Sequence, residues 1–253
     1  MSDEALQPGD LIIVTGAAQG IGRAIALRLA ETGARLCLWD VLEQKLERTA
    51  EECRERGAEV FPSVVDMSDI RAIETAARDT LGRLGTPYAL INNAAIFPRS
   101  FVVDMELDEW EGVLRINLTA PFLLTKLCAP AMVAARRGVV INVASTVALR
   151  GDPRGAHYAS SKAGLIALTK SYAQALGPSG IRVNCILPGI SDTAQPLNGM
   201  TREELLAKGR DIPLGRIGRA EDMVGIVAFL LGPEALYISG QSIAINGAAM
   251  AIP

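Results

Sequence analysis

"LIIVTGAAQGIG", residues 11–22, carries an apolar run into a helical pattern through a glycine-rich turn. The first five residues read as a strand with no polar face, as a strand covered on both sides must be. Gly16, Gly20 and Gly22 follow in the spacing GxxxGxG, with Gln19 inside the turn. Glycine at such a turn lets the backbone approach a pyrophosphate closely. The helix that starts there offers free N–H groups and positive potential to the same anion. That helix is legible in "GIGRAIALRLAETG" (20–33), where Ile21, Ile25 and Leu29 share a face.

The alternation continues to the end of the chain. Apolar or β-branched runs at 35–39, 59–65, 88–92, 138–144, 181–187 and 242–246 read as six further strands. Helical patterns lie between them; "VLEQKLERTAEECRERG" (41–57) is amphipathic and stops at Gly57. Seven strands and about six helices in alternation predict an α/β fold. It is a single Rossmann domain over 1–253, a doubly wound parallel sheet with helices on both faces. The length and the 49% hydrophobic content suit one large core. The irregular stretch at about 189–218 has Gly and Pro at both ends, and reads as a substrate loop or lid.

Several function classes are disfavoured. The net charge is −3 and no Lys/Arg run is present, which argues against nucleic acid. The acidic start is not a signal peptide, and no stretch approaches the roughly 20 apolar residues of a membrane span. Four cysteines without a CxxC pair, and one histidine, leave little for a metal site. Cys37 and Cys185 sit in apolar runs and read as core thiols, in keeping with a reducing cytoplasm.

Asp40 ends the second strand. A carboxylate there accepts hydrogen bonds from the ribose hydroxyls of an adenosine and repels a 2′-phosphate. No Arg or Lys stands at 39 or 41, and Gln19 occupies the loop position where a base would help. NAD is therefore expected over NADP.

Taken together, "TGAAQGIG" (15–22), "NNAA" (92–95), Asn117, Ser145, "YASSK" (158–162) and "PG" (188–189) resemble the short-chain dehydrogenase/reductase family in order and spacing, over about 10–247. The resemblance implies an Asn-Ser-Tyr-Lys tetrad at Asn117, Ser145, Tyr158 and Lys162. It implies a cofactor groove in which Asp66 and Met67 flank the adenine and Asn92 and Ala94 line the adenosine side. Pro188, Gly189 and Thr193 would meet the nicotinamide, above Ile21. A homotetramer is implied too, supported by the apolar surface of 107–135 and 160–177. Two positions depart from the family pattern: Ala95 replaces the last glycine of NNAG, and Ala248 the last of NGG.

The residue types suit proton transfer coupled to hydride transfer. Free tyrosine, with a pKa near 10, is a poor base at neutral pH. Lys162 lies at i+4 from Tyr158, and a cation about 4 Å away would lower that pKa by roughly three units before desolvation. Ser145 can hold the substrate oxygen. His157, adjacent to Tyr158, points about 100° away around the helix and is expected to be a bystander at the pocket rim or in a cap. Substrate walls are expected from Phe97, Val147, Leu149, Ile190 and Leu197. Arg99, Arg150 and Arg154 point to an anionic or sugar-like substrate, unless they face solvent or pair with Asp104 and Asp152. A secondary alcohol, polyol or sugar oxidised with NAD is the first reading. A 3-oxoacyl-thioester (acyl carrier protein) reductase, or a catalytically silent dinucleotide-binding regulator, are the alternatives.

Overall fold

A computed structural model describes residues 5–194 and 200–250. Seven parallel strands form one sheet in the order β3-β2-β1-β4-β5-β6-β7. They are β1 (Leu11–Thr15), β2 (Arg35–Asp40), β3 (Glu59–Val64), β4 (Pro87–Asn92), β5 (Gly138–Val143), β6 (Ile181–Pro188) and β7 (Ser242–Ile245). The main helices are α1 (Gly20–Ala30), α2 (Glu43–Glu55), α3 (Ile70–Leu84), α4 (Leu107–Leu114), α5 (Ala120–Ala135), α6 (Val147–Arg150), α7 (Ala156–Leu176), α8 (Arg202–Ala207) and α9 (Val224–Leu231).

Strand alternation divides the core in two. Ile12, Val14, Leu36 and Leu38 point into one layer with Ile25 and Leu29 of α1 and Leu230 of α9. Leu11, Ile13 and Cys37 point into the other, with Ile73 of α3 and Leu124, Cys128 and Met132 of α5. The two edge strands, β3 and β7, are only partly covered, unlike the five between them. Pro62 lies in β3, where a missing N–H costs no ladder bond on the open side. Strand order reverses between β1 and β4, so the loops after these two strands diverge and open a crevice at their carboxyl ends.

One expectation needs correction. The continuous helical run Leu107–Ala135 is long and apolar enough to cross a membrane by length and composition. It is nevertheless a core element here, since Leu124, Cys128 and Met132 are fully buried. Within the 189–218 stretch, between the Gly and Pro residues at its two ends, the chain forms the short helix α8. Thr201 and Glu204 cap α8 reciprocally, Leu205, Ile212 and Ile217 form a small core, and a bridge between Ser191 and Gly218 closes the base.

Candidate active site

A cavity of about 420 Å³ runs along the carboxyl ends of the strands. Its floor is the turn after β1. Gly16 has φ +67, and a Cβ there would lie 2.8 Å from Asn93 Nδ2. Gly22 does not line the cavity, against expectation. Its role is close packing: a Cβ would meet the Gly16 carbonyl oxygen at 2.1 Å. The turn after β4 clamps this loop. Asn93 and Ala94 donate their backbone N–H groups to Thr15 Oγ1, and Asn93 Nδ2 donates to the Thr15 and Gly16 carbonyls.

Asn93, not Asn92, therefore faces the cavity. Asn92 points to the other side of the sheet, where its Nδ2 donates to Asn142 Oδ1 at 2.8 Å. Successive strand residues face opposite ways, and the motif "NNAA" does not say which asparagine comes out on the open face. Gln19, Gly20, Ile21, Ala94, Asp66 and Met67 line the cavity as expected, and so do Pro188, Gly189 and Thr193.

Asp40 also lines it, but its carboxylate is already engaged. Oδ2 accepts from Ala18 N–H at 2.9 Å and Oδ1 from Leu42 N–H at 3.0 Å. A carboxylate offers about four lone-pair sites, so ribose hydroxyls can still bind. Beyond the positions weighed in the sequence, Lys45 in the first turn of α2 places Nζ 2.8 Å from Gln19 Oε1. A base thus stands beside the glycine loop after all.

Ser145, Tyr158 and Lys162 converge on the same cavity from the loop after β5 and from α7. The Ser145 hydroxyl, which accepts the Val147 N–H at 3.2 Å, lies close enough to the Tyr158 phenol to act on its pKa. Lys162 is 2% exposed, donates from Nζ to the Val143 carbonyl at 2.7 Å, and lies 5.7 Å from the centre of the Tyr158 ring. The expected lowering of the Tyr158 pKa by Lys162 is not what the structure gives. Burial pushes Tyr158 up to about 12, opposed by the nearby Ser145 hydroxyl and by the Arg99 charge. Burial likewise pushes Lys162 down to about 8. Desolvation is the largest cause for both groups, and neither one is a cause of the other's shift.

Asn117 is fully buried and does not line the cavity. It sits in a π-helical turn, Arg115–Thr119, that joins α4 to α5. Its Nδ2 donates to the Ile96 carbonyl and its Oδ1 accepts the Ile96 N–H, both at 2.9 Å; Nδ2 also donates to Ser161 Oγ. His157 is fully buried too; of the two places expected for it, the structure rules out the rim and gives the cap. Its Nδ1 accepts the Tyr158 N–H at 2.7 Å and its Nε2 lies 2.9 Å from Glu109 Oε1.

The substrate end is framed by Phe97, Val147 and Ile190, as expected. Phe97 lies flat on Tyr158, with ring centroids 4.0 Å apart and planes 12° apart. The Arg99 guanidinium covers the other face of Phe97 at 4.4 Å and pairs with Asp152 at 3.3 Å. Arg150 lines the cavity without an ion pair or hydrogen bond among the described residues. Arg154 and Leu149 lie outside it, and Leu197 lies outside the described residues.

A glycine-floored crevice at the switch point of a doubly wound sheet, leading to a Ser–Tyr pair, is the architecture of a nicotinamide-dinucleotide oxidoreductase. Known proteins agree with that class. The family model described as enoyl-(acyl carrier protein) reductase matches residues 16–248. The 3-oxoacyl-[acyl-carrier-protein] reductase FabG of Thermotoga maritima is 34% identical over 241 residues, 94% of this chain and 97% of that one. Among solved structures, a Beutenbergia cavernae protein provisionally named an NAD(P)-dependent gluconate 5-dehydrogenase, with NADP bound at low occupancy, has a TM-score of 0.92 and 32% identity. The match covers 97% of this chain and 98% of that one. Levodione reductase has a TM-score of 0.91 and 32% identity, covering 96% and 98%. The chain belongs to the short-chain dehydrogenase/reductase family.

Proposed function

We propose that the protein moves a hydride between a nicotinamide dinucleotide and the carbon of a ketone or secondary alcohol, with Tyr158 as the general acid/base. The observation that carries this is the convergence of Ser145, Tyr158 and Lys162 on one cavity, with Lys162 on the same helix face as Tyr158. The bound nicotinamide supplies or accepts the hydride. Gly16 and Gly20 would hold its pyrophosphate side, and Ile21, Pro188, Gly189 and Thr193 its nicotinamide side. A silent regulator would have no use for this convergence.

Tyr158 holds its proton at neutral pH, because its pKa stands at about 12. That makes it an acid for a carbonyl oxygen, which Ser145 Oγ steadies by a second hydrogen bond as negative charge develops. In the reverse direction the same oxygen takes the alcohol proton, assisted by the Lys162 charge. Asn117 fixes Ile96 at the cavity wall.

The reductive direction, and the names of the relatives, favour a 3-oxoacyl thioester as substrate over the polyol expected first. A polyol or sugar-like substrate remains the second reading, favoured by Arg150 at the mouth. NAD is the proposed cofactor, supported by the two free lone-pair sites on Asp40. Four buried thiols support a reducing, cytoplasmic setting. The test is a panel of 3-oxoacyl thioesters, polyols and sugar acids, scored by the change in NADH and NADPH absorbance. Turnover of none of them would sink the reading.

A further inference from the structure

The first three N–H groups of α7 that follow its N-cap have no carbonyl in their own helix to bond. The N-cap is Gly155, which has no side chain to accept from them. A larger residue is excluded there, since a Cβ on Gly155 would lie 2.4 Å from Phe97 Cε2. Tyr158 occupies the third position, so its own N–H is one of the orphaned donors. His157 Nδ1 accepts it at 2.7 Å. An Nδ1 that accepts leaves the ring proton on Nε2, which donates to Glu109 Oε1 of α4 at 2.9 Å. The other carboxylate oxygen, Glu109 Oε2, accepts the Ser100 hydroxyl at 2.8 Å. Ser100 lies three residues beyond Phe97, whose ring covers that of Tyr158.

These contacts form a closed circuit. It leaves the Tyr158 backbone through His157, passes Glu109 and Ser100, and returns along the chain to Phe97 and the Tyr158 ring. We propose that His157 is a positioning residue. It fixes Tyr158 at its amide and, through Glu109 and Ser100, fixes the loop that packs Phe97 on the Tyr158 ring. The idea rests on Tyr158 being the acid/base, and it goes beyond that reading by assigning the chain's single, fully buried histidine. A misplacement of about 1 Å in such a group can cost on the order of a hundredfold in rate, so a buried cap next to the reacting residue has kinetic weight.

Isosteres separate the two arms. His157→Asn keeps an acceptor near the Nδ1 position and gives up Glu109. His157→Gln keeps a donor near Nε2 and gives up the cap. Full-length holoenzyme is assayed with ethyl acetoacetate as the carbonyl probe, and tyrosine labelled at the ring carbon bearing oxygen reports Tyr158 by NMR in the cofactor-free protein. The expected result is a fall in kcat of about ten- to a hundredfold for His157→Ala and His157→Gln, with KM for NADH unchanged, and recovery to within about threefold for His157→Asn. The Tyr158 resonance should move in the first two variants and return in the third. A kcat for His157→Ala within twofold of the wild type, or equal losses in the Asn and Gln variants, would overturn the proposal. Should the wild type leave ethyl acetoacetate unreduced, the acid/base reading is what suffers, and the NMR comparison alone decides: a Tyr158 resonance identical in all variants refutes the positioning role.

Discussion

Lys162 Nζ donates to the carbonyl of Val143 at 2.7 Å from a site that is 2% exposed. That one hydrogen bond holds an ammonium group under the cavity floor, where burial drives its pKa down to about 8 from an ordinary 10.5. The folded chain therefore gives up this proton before the unfolded chain does. Between pH 8 and 10.5 the unfolded state binds more protons, so stability should rise with pH across that window. Below pH 8 the full cost of the buried charge is present. Urea unfolding at pH 7 and 9.5 should show the wild type gaining about 2 kcal/mol relative to Lys162→Met. Parallel pH dependences in the two proteins would show that the ammonium is not buried as described.

Tyr158→Phe should lower turnover by at least about a hundredfold, the span usual for loss of a general acid/base. Dinucleotide binding should persist, since the phenol is one of many groups along the cavity. Fluorescence titration with NADH alongside steady-state kinetics separates the two effects. A variant with near-normal turnover would remove Tyr158 from the chemistry.

Cofactor choice turns on Asp40 against Lys45. NAD(H) should bind at least tenfold more tightly than NADP(H), about 1.4 kcal/mol. Asp40→Ser should raise NADP affinity by removing the repulsion. Adding Lys45→Ala to it should take that gain away, because Lys45 is then the base nearest the loop. Equal affinities in the wild type would refute the NAD assignment.

Ala248 has φ +66, a left-handed conformation that glycine adopts freely and alanine does not. The family's usual residue here is glycine. Ala248→Gly should stabilise the protein by up to about 1 kcal/mol, the left-handed penalty less the extra chain entropy of glycine. Thermal unfolding of the variant should show a higher midpoint; a lower one would mean that the alanine methyl makes a contact worth more than the strain.

Leu107, Phe122 and Val133 are 67%, 43% and 37% exposed along a helical run whose other face, with Leu124, Cys128 and Met132, is buried in the core. The proposed homotetramer would cover them by pairing this run with its copy in another subunit. Light scattering at micromolar concentration should give four times the chain mass, and a Leu107→Asp, Phe122→Asp variant should give a smaller species. A monomeric wild type would refute the assembly.

How much of this was readable in the sequence depends on the range of the interaction involved. The strand–glycine turn–helix unit at 11–33, the seven-strand alternation and the Tyr158–Lys162 pair are local patterns. Their periods of two and 3.6 residues fix which side chains share a face once the element type is known. The same logic placed Ser145 and Asp40 at strand ends, and so on the cavity.

What the pattern left open was every choice made by packing between elements. Only the register of β4 beside β1 decides that Asn93, and not Asn92, clamps the glycine loop. Only the approach of α4 to the start of α7 decides between the two places open to His157, rim or cap, and makes it a buried cap on Tyr158. The pKa values of Tyr158 and Lys162 went opposite to the i+4 argument for the same reason. Spacing along a helix gives the charge–charge distance, whereas the desolvation that dominates both pKa values comes from burial, with Phe97 packed on the Tyr158 ring and Lys162 held to the Val143 carbonyl of β5, residues far apart in the chain that meet only in the folded protein.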